Sequence, residues 1–286
     1  MDKINLSNQA ILVELNIRMP SFRKLDKKVS KEVTDRKGAN EDAGRFNKHL
    51  LAGVDQLDKL QKWVSSARVE FYYKTLPWSD SGQRMCDIRN FIILKDWLND
   101  MRTEFDRLAQ DFINIYPNLV SAQAFKMGTM FDRSEYPDVS EVAKRFGFGF
   151  TFLPLPERGD FRVDVSHDIA EALEAEYEKV YAERTNAAMT DLWDRLYKVT
   201  KHISDRLADN TDGTKKIIRD SVLDNAIELC SLLSVMNVTH DENLEQARRQ
   251  LENTLHGVDM KEIRDSDAIR KHVKAQVDEL SDKLGW

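Results

Sequence analysis

From Phe46 onward the chain carries a seam at alternating steps of four and three: Phe46, Leu50, Gly53, Leu57, Leu60, Val64, Ala67 and Phe71. A second series follows the turn signal PWSDSG and steps the same way through Phe91, Leu94, Leu98, Met101, Phe105, Leu108, Phe112 and Ile115. Spacings of three and four keep residues on one helical face, so the pattern predicts two long heptad-seamed helices paired as an antiparallel hairpin. Pro117 is expected to close the second, because proline cannot donate the backbone hydrogen bond a helix interior needs.

Elsewhere the period shortens to two. Ile11, Val13, Leu15, Ile17 and Met19 alternate with more polar neighbours and predict a strand over 10–19, ended by Pro20. FGFTFLPLP and DFRVDV, separated by ERG, read as a β-hairpin, and with the first strand they make a small three-stranded sheet. A short helix over 139–146 precedes it, capped by Asp138 or Ser140.

Beyond Pro156 there is no proline, which permits long helices. One is predicted from His167 to about Leu207, broken by NTDG, and another over Ile218, Val222, Asn225, Leu229, Leu232 and Met236. Thr239 and Glu242 have capping-box spacing for the next, which His256-Gly257 ends, and a last helix carries Ile269, Val273, Val277 and Leu280. The expected fold is mainly α (α+β): an elongated bundle of heptad-patterned helices with about three strands. The expected divisions are an N-terminal strand and basic segment over 1–45, the helical hairpin over 46–137, a short helix and β-hairpin over 138–166, and a helical region over 167–286.

Composition narrows the functional classes. The net charge of −6 argues against a chain coated in nucleic acid, and two cysteines supply no disulfide framework. No apolar run approaches the roughly 20 residues needed to span a bilayer, so a soluble cytoplasmic protein without membrane contact is expected. Charge is uneven, however. Residues 18–37 hold Arg18, Arg23, Lys24, Lys27, Lys28, Lys31, Arg36 and Lys37 against three acids, a local +5 that leaves −11 for the rest. Such a segment suits a solvated helix, a nucleic acid or an acidic partner.

Gly147-Phe148-Gly149-Phe150 fits the centre of the RNP1 element of RNA-recognition domains. Phe146 stands where that element needs a basic residue, and a long helix follows where further strands should lie. A buried amphipathic strand is the expectation. Asp160, Asp164 and His167 make the one grouping with a metal-like spacing, but a helix N-terminus explains them. No nucleophile elbow, phosphate loop or HExxH motif occurs, so neither catalytic residues nor a cofactor nor a metal is expected.

Several short motifs occur in a characteristic order: Thr75-Leu76-Pro77-Trp78, Gly82 with Arg84, Tyr136-Pro137, Pro154-Leu155-Pro156, Asp160-Phe161-Arg162-Val163, Asp191-Leu192-Trp193 with Arg195-Leu196, and Arg219-Asp220-Ser221. In this order, over about Phe46 to Leu255, the chain resembles an uncharacterised family of bacteriophage and prophage proteins, a domain of unknown function. Genes of that family often lie near those of MoxR-type AAA+ ATPases and von Willebrand A-domain proteins. The resemblance implies a phage origin, a bacterial cytoplasm and no assigned catalytic residue; an adaptor or client role with such machinery goes with it.

The expected function is therefore non-enzymatic: assembly, adaptor or host-modulating work through protein–protein contact, with self-association as one form. Ile92, Ile93 and Trp97 broaden the apolar stripe beyond what one helix pair needs and are the candidate contact. The alternative is an accessory of phage DNA metabolism that uses the basic segment.

Overall fold

The computed structural model describes residues 6–156, 167–212 and 214–286. In chain order its elements are β1 (Ala10–Arg18), β2 (Arg23–Leu25), α1 (Lys27–Arg36), β3 (Asn47–His49), α2 (Asp55–Tyr73), β4 (Leu76–Pro77), β5 (Arg84–Asp87), α3 (Phe91–Lys126), α4 (Val139–Arg145), β6 (Gly147–Pro154), α5 (His167–Leu207), α6 (Ser221–Met236), α7 (Glu242–Leu255), α8 (Met260–Asp265) and α9 (Asp267–Lys283). Helix dominates, as expected.

The β-structure is larger than the sequence suggested. One sheet has four strands in the order β4-β5-β1-β6, and β2 and β3 form a separate antiparallel pair. β5 runs antiparallel to β1, with Ala10 opposite Asp87 and Val13 opposite Arg84. β4 and β5 have two and four residues, too few for an alternating pattern, and flank the turn signal PWSDSG. Gly82, at φ +97, lets that turn close. The predicted partner strand DFRVDV lies outside the described residues.

The helical hairpin also departs from the heptad expectation. Phe46 to Gly53 are not helical; β3 and a turn occupy them, and α2 starts at Asp55. From there the buried residues Leu57, Leu60, Val64, Ala67 and Phe71 follow the seam. On α3 the buried apolar positions are Leu94, Leu98, Phe105, Ala109, Phe112, Tyr116 and Val120, so the stripe has moved one position by Ala109. That is the drift of a helix near 3.6 residues per turn, which a strict 3.5-residue seam would not show. Pro117 lies inside α3 and does not end it. Buried residues on both sides hold the helix together, among them Tyr116, whose hydroxyl donates to Pro137 O at 3.0 Å.

The chain divides into two compact units, each assembled from separate stretches. The first comprises Met1–Glu14, Tyr72–Leu94 and Phe152–Trp286. Its core is built on α5, α6, α7 and α9, with Leu192, Leu196, Ile203, Leu229, Leu233, Leu244 and Val277 among the most buried side chains. Asp241, rather than Thr239, caps α7, accepting from the backbone N–H groups of Asn243 and Leu244. At its other end Gly257, at φ +74, follows the terminal His256, where the sequence predicted the stop.

The second unit comprises Leu15–Phe71 and Lys95–Thr151. Here α2 and α3 pack antiparallel: Trp63 meets Phe105 with ring centroids 6.1 Å apart, while Leu57 shares a cluster with Phe112, Tyr116 and Val120. Phe22, in a left-handed conformation at φ +50, presses its ring on Phe112 and Tyr116 at 5.5 and 5.9 Å. That anchor fixes where β2, which carries Arg23 and Lys24, begins.

Candidate functional site

The Phe-rich strand belongs to a core. Phe148 is 7% exposed and lies 5.8 Å from Phe105 and 6.4 Å from Trp63; Phe146 lies 5.7 Å from Phe112. Phe150 is half-buried beneath the Arg102 guanidinium at 5.4 Å. Gly147 clears space for Arg18, because a Cβ there would stand 2.8 Å from an Arg18 Nη atom. An RNA-recognition domain also needs a second aromatic strand upstream; the aromatic segment IYPNL at 115–119 lies within α3 instead.

The eight basic residues of 18–37 are all exposed, yet they do not form one face. Arg18 crosses β6, Arg23 and Lys24 stand on β2, Lys27, Lys28 and Lys31 open α1, and Arg36 and Lys37 close it. Lys24 reaches Glu135 at 3.8 Å and Lys31 reaches Glu41 at 3.2 Å. Among the described residues the other six have no ion pair.

Beside this segment lies a buried cation that sequence reading missed. Lys48, 6% exposed, holds Glu135 at 2.6 Å and Asp26 at 3.5 Å, and donates to Met130 O at 3.1 Å. Burial works to lower the Lys48 pKa, but the two carboxylates outweigh it and the ammonium is raised above its ordinary value. Asp26 is held low, first by the Val29 backbone N–H, because it also caps α1. One lysine thus ties β3 to the start of α1 and to the 130–135 loop.

A groove of about 670 Å³ opens along this lysine, lined by Phe46, Asn47, Lys48, His49, Ala52, Gly53, Gln123, Lys126, Met127 and Met130. Its walls are mainly apolar, and none of the residues that line it is acidic. Gln123, 1% exposed, donates to Ala52 O at 3.2 Å and leaves its Oε1 without a hydrogen-bond partner among the described residues. Nothing in the sequence pattern announces the groove, because its walls come from two segments far apart in the chain, 46–53 and 123–130.

The interaction candidates divide. Ile92 and Ile93 are 59% and 68% exposed, so α5 does not cover them, and Ile88 one turn earlier is 47% exposed. Trp97 is only half-buried but is engaged within the fold.

Other polar clusters hold the fold together. Arg195 donates to the carbonyls of Tyr72 and Thr75 at 3.0 and 2.8 Å while paired with Asp191 at 2.6 Å; Arg84 joins it on Thr75 O at 2.8 Å. The motif residues Thr75, Arg84, Asp191 and Arg195 therefore meet in one cluster, where two guanidiniums satisfy the carbonyls at the end of α2. A second cleft of about 500 Å³ contains Arg89 and Arg249, already neutralised by Asp87 and Glu245.

Both cysteines are buried. Burial pushes the Cys86 thiol up to about 12 and the Cys230 thiol to about 11, far from a reactive thiolate. Among the described residues no three His, Cys, Asp or Glu side chains are grouped to hold a metal. Asp160 and Asp164 lie outside the described residues, and His167 is the first residue of α5. No helix among the described residues is long and apolar enough to cross a membrane. Compared with protein families, curated proteins and solved structures, the chain matches none.

Proposed function

We propose that this protein acts by protein–protein contact rather than by catalysis, through the exposed apolar turn at the start of α3. The observation that supports it is the exposure of Ile92 and Ile93 side by side, with Ile88 one turn away. Burying an isoleucine contributes about 1.5–3 kcal/mol, so a partner covering two of them gains substantially. An assembly, adaptor or host-modulating role in a phage-infected cell goes with the resemblance noted above, which makes MoxR-type AAA+ ATPases and von Willebrand A-domain proteins the first partners to titrate. Calorimetric titration of such a partner should give binding that Ile93→Glu weakens more than about tenfold. Equal affinity for both forms would overturn the proposal.

A second reading is nucleic-acid binding by the basic segment, favoured by the six exposed cations that have no ion pair among the described residues. Their spread over β1, β2 and both ends of α1 speaks against one continuous phosphate track. Anisotropy of a labelled oligonucleotide, followed against salt, tests it.

A further inference from the structure

We infer that copies of this chain associate, the first turns of α5 in one copy lying in the basic groove beside Lys48 of another. This goes beyond the contact assigned to Ile92 and Ile93 and uses different surfaces.

The groove asks for an occupant that is apolar on one face and acidic around it. Its walls present Phe46 and Met130, still 38% and 37% exposed, and its rim carries Lys126, exposed and without an ion pair among the described residues. Arg23 stands opposite His49 in the β2–β3 register, so it adjoins the same opening. Lys27 and Lys28 follow Asp26, which is itself bound to Lys48. Among the described residues neither lysine has an ion pair.

The chain carries a segment of that description. Residues 167–178 contain Asp168, Glu171, Glu174, Glu176 and Glu178, with no lysine or arginine. In α5 this stretch is exposed except at Ala170 and Tyr177. Ile169 and Leu173, four residues apart and so on one helix face, are 51% and 38% exposed. Helical geometry sets Asp168, Glu174 and Glu176 around that face. An apolar stripe framed by carboxylates matches an apolar groove framed by cations, and helix-in-groove docking is the geometry that joins them. Both surfaces exist in every copy, so the contact is head-to-tail, each copy's groove taking the next copy's helix until a ring closes.

Light scattering on the full chain tests this with two exposed-site variants, Leu173→Glu on the helix and Lys126→Glu at the groove, each checked by circular dichroism. Wild type should exceed the single-chain mass, with association weakened at least about tenfold on raising salt to about 0.5 M. Each variant should weaken it by at least about tenfold, and an equimolar mixture should associate more tightly than either alone, since each supplies the half the other lacks. Should either variant misfold, Leu173→Ser and Lys126→Gln replace them. A wild type monomeric at about 0.1 mM would overturn the inference. So would association that the variants leave unchanged, a mixture no tighter than its components, or binding of an acidic peptide from another protein by a chain that stays monomeric.

Discussion

Arg270 and Leu207, 63 residues apart, are joined by a 2.9 Å hydrogen bond from the guanidinium Nε to the carbonyl oxygen. The same side chain, 4% exposed, also donates to Arg206 O at 2.9 Å and Lys216 O at 3.1 Å. A buried cation thus caps the C-terminus of α5 and ties it to α9. The carbonyl ends of a helix need such partners, and a charge here also complements the helix dipole. Arg270→Ala should cost at least about 1.5–3 kcal/mol in chemical denaturation, and Arg270→Lys should recover only part of it. A lysine variant as stable as wild type would show that the forked geometry does not matter.

Phe148 and Phe150 should behave differently although the sequence treats them alike. Phe148→Ala empties a packed aromatic site and should cost roughly 3–5 kcal/mol. Phe150, half-buried under Arg102, should cost clearly less. Thermal melts of both variants check this ordering. A base-stacking platform would leave both variants stable and cost roughly 1–3 kcal/mol of nucleic-acid affinity per ring.

The cysteines should be silent in the folded state. With thiols held near 12 and 11, Ellman's reagent at neutral pH should label neither Cys86 nor Cys230 until denaturant is added. Rapid labelling of the native protein by one equivalent would contradict that burial.

Acid should weaken the first unit through Glu245. Hydrogen bonds from Arg248, above all, hold this carboxyl at about 2, below its ordinary 4.5. A depressed folded value means that the stabilisation is full above the unfolded value and is lost as pH falls through the folded one. The stability gap between wild type and Glu245→Gln should therefore be constant near neutrality and shrink between pH about 4.5 and about 2. A gap independent of pH over that window would remove the Arg248–Glu245 pair as its cause.

Long periodic elements were legible in the sequence, and short or discontinuous ones were not. Leu57 to Phe71 gave the α2 face residue for residue, and His167 to Leu207 marked α5 to its ends. The α3 stripe slipped because three-and-four spacing tolerates either a heptad or a straight helix until several turns accumulate. Pro117 misled because tertiary packing around Tyr116 overrode a local rule. β4 and β5 were too short to announce themselves. At the candidate sites, the sequence named Ile92, Ile93 and the basic residues but not their exposure. It also missed Lys48 and the groove, whose residues come together only through pairing of β2 with β3 and packing on α3.

The central proposal, contact with another protein through the start of α3, is tested most directly by paired affinity capture. Wild type and an Ile92→Glu/Ile93→Glu variant with an unaltered melting curve are expressed in the same bacterial host, and nuclease-treated captures are compared by quantitative mass spectrometry. The expected result is at least one protein retained by wild type, resistant to nuclease, and depleted about tenfold or more with the variant. An identical set of proteins on both, in equal amounts, would contradict it.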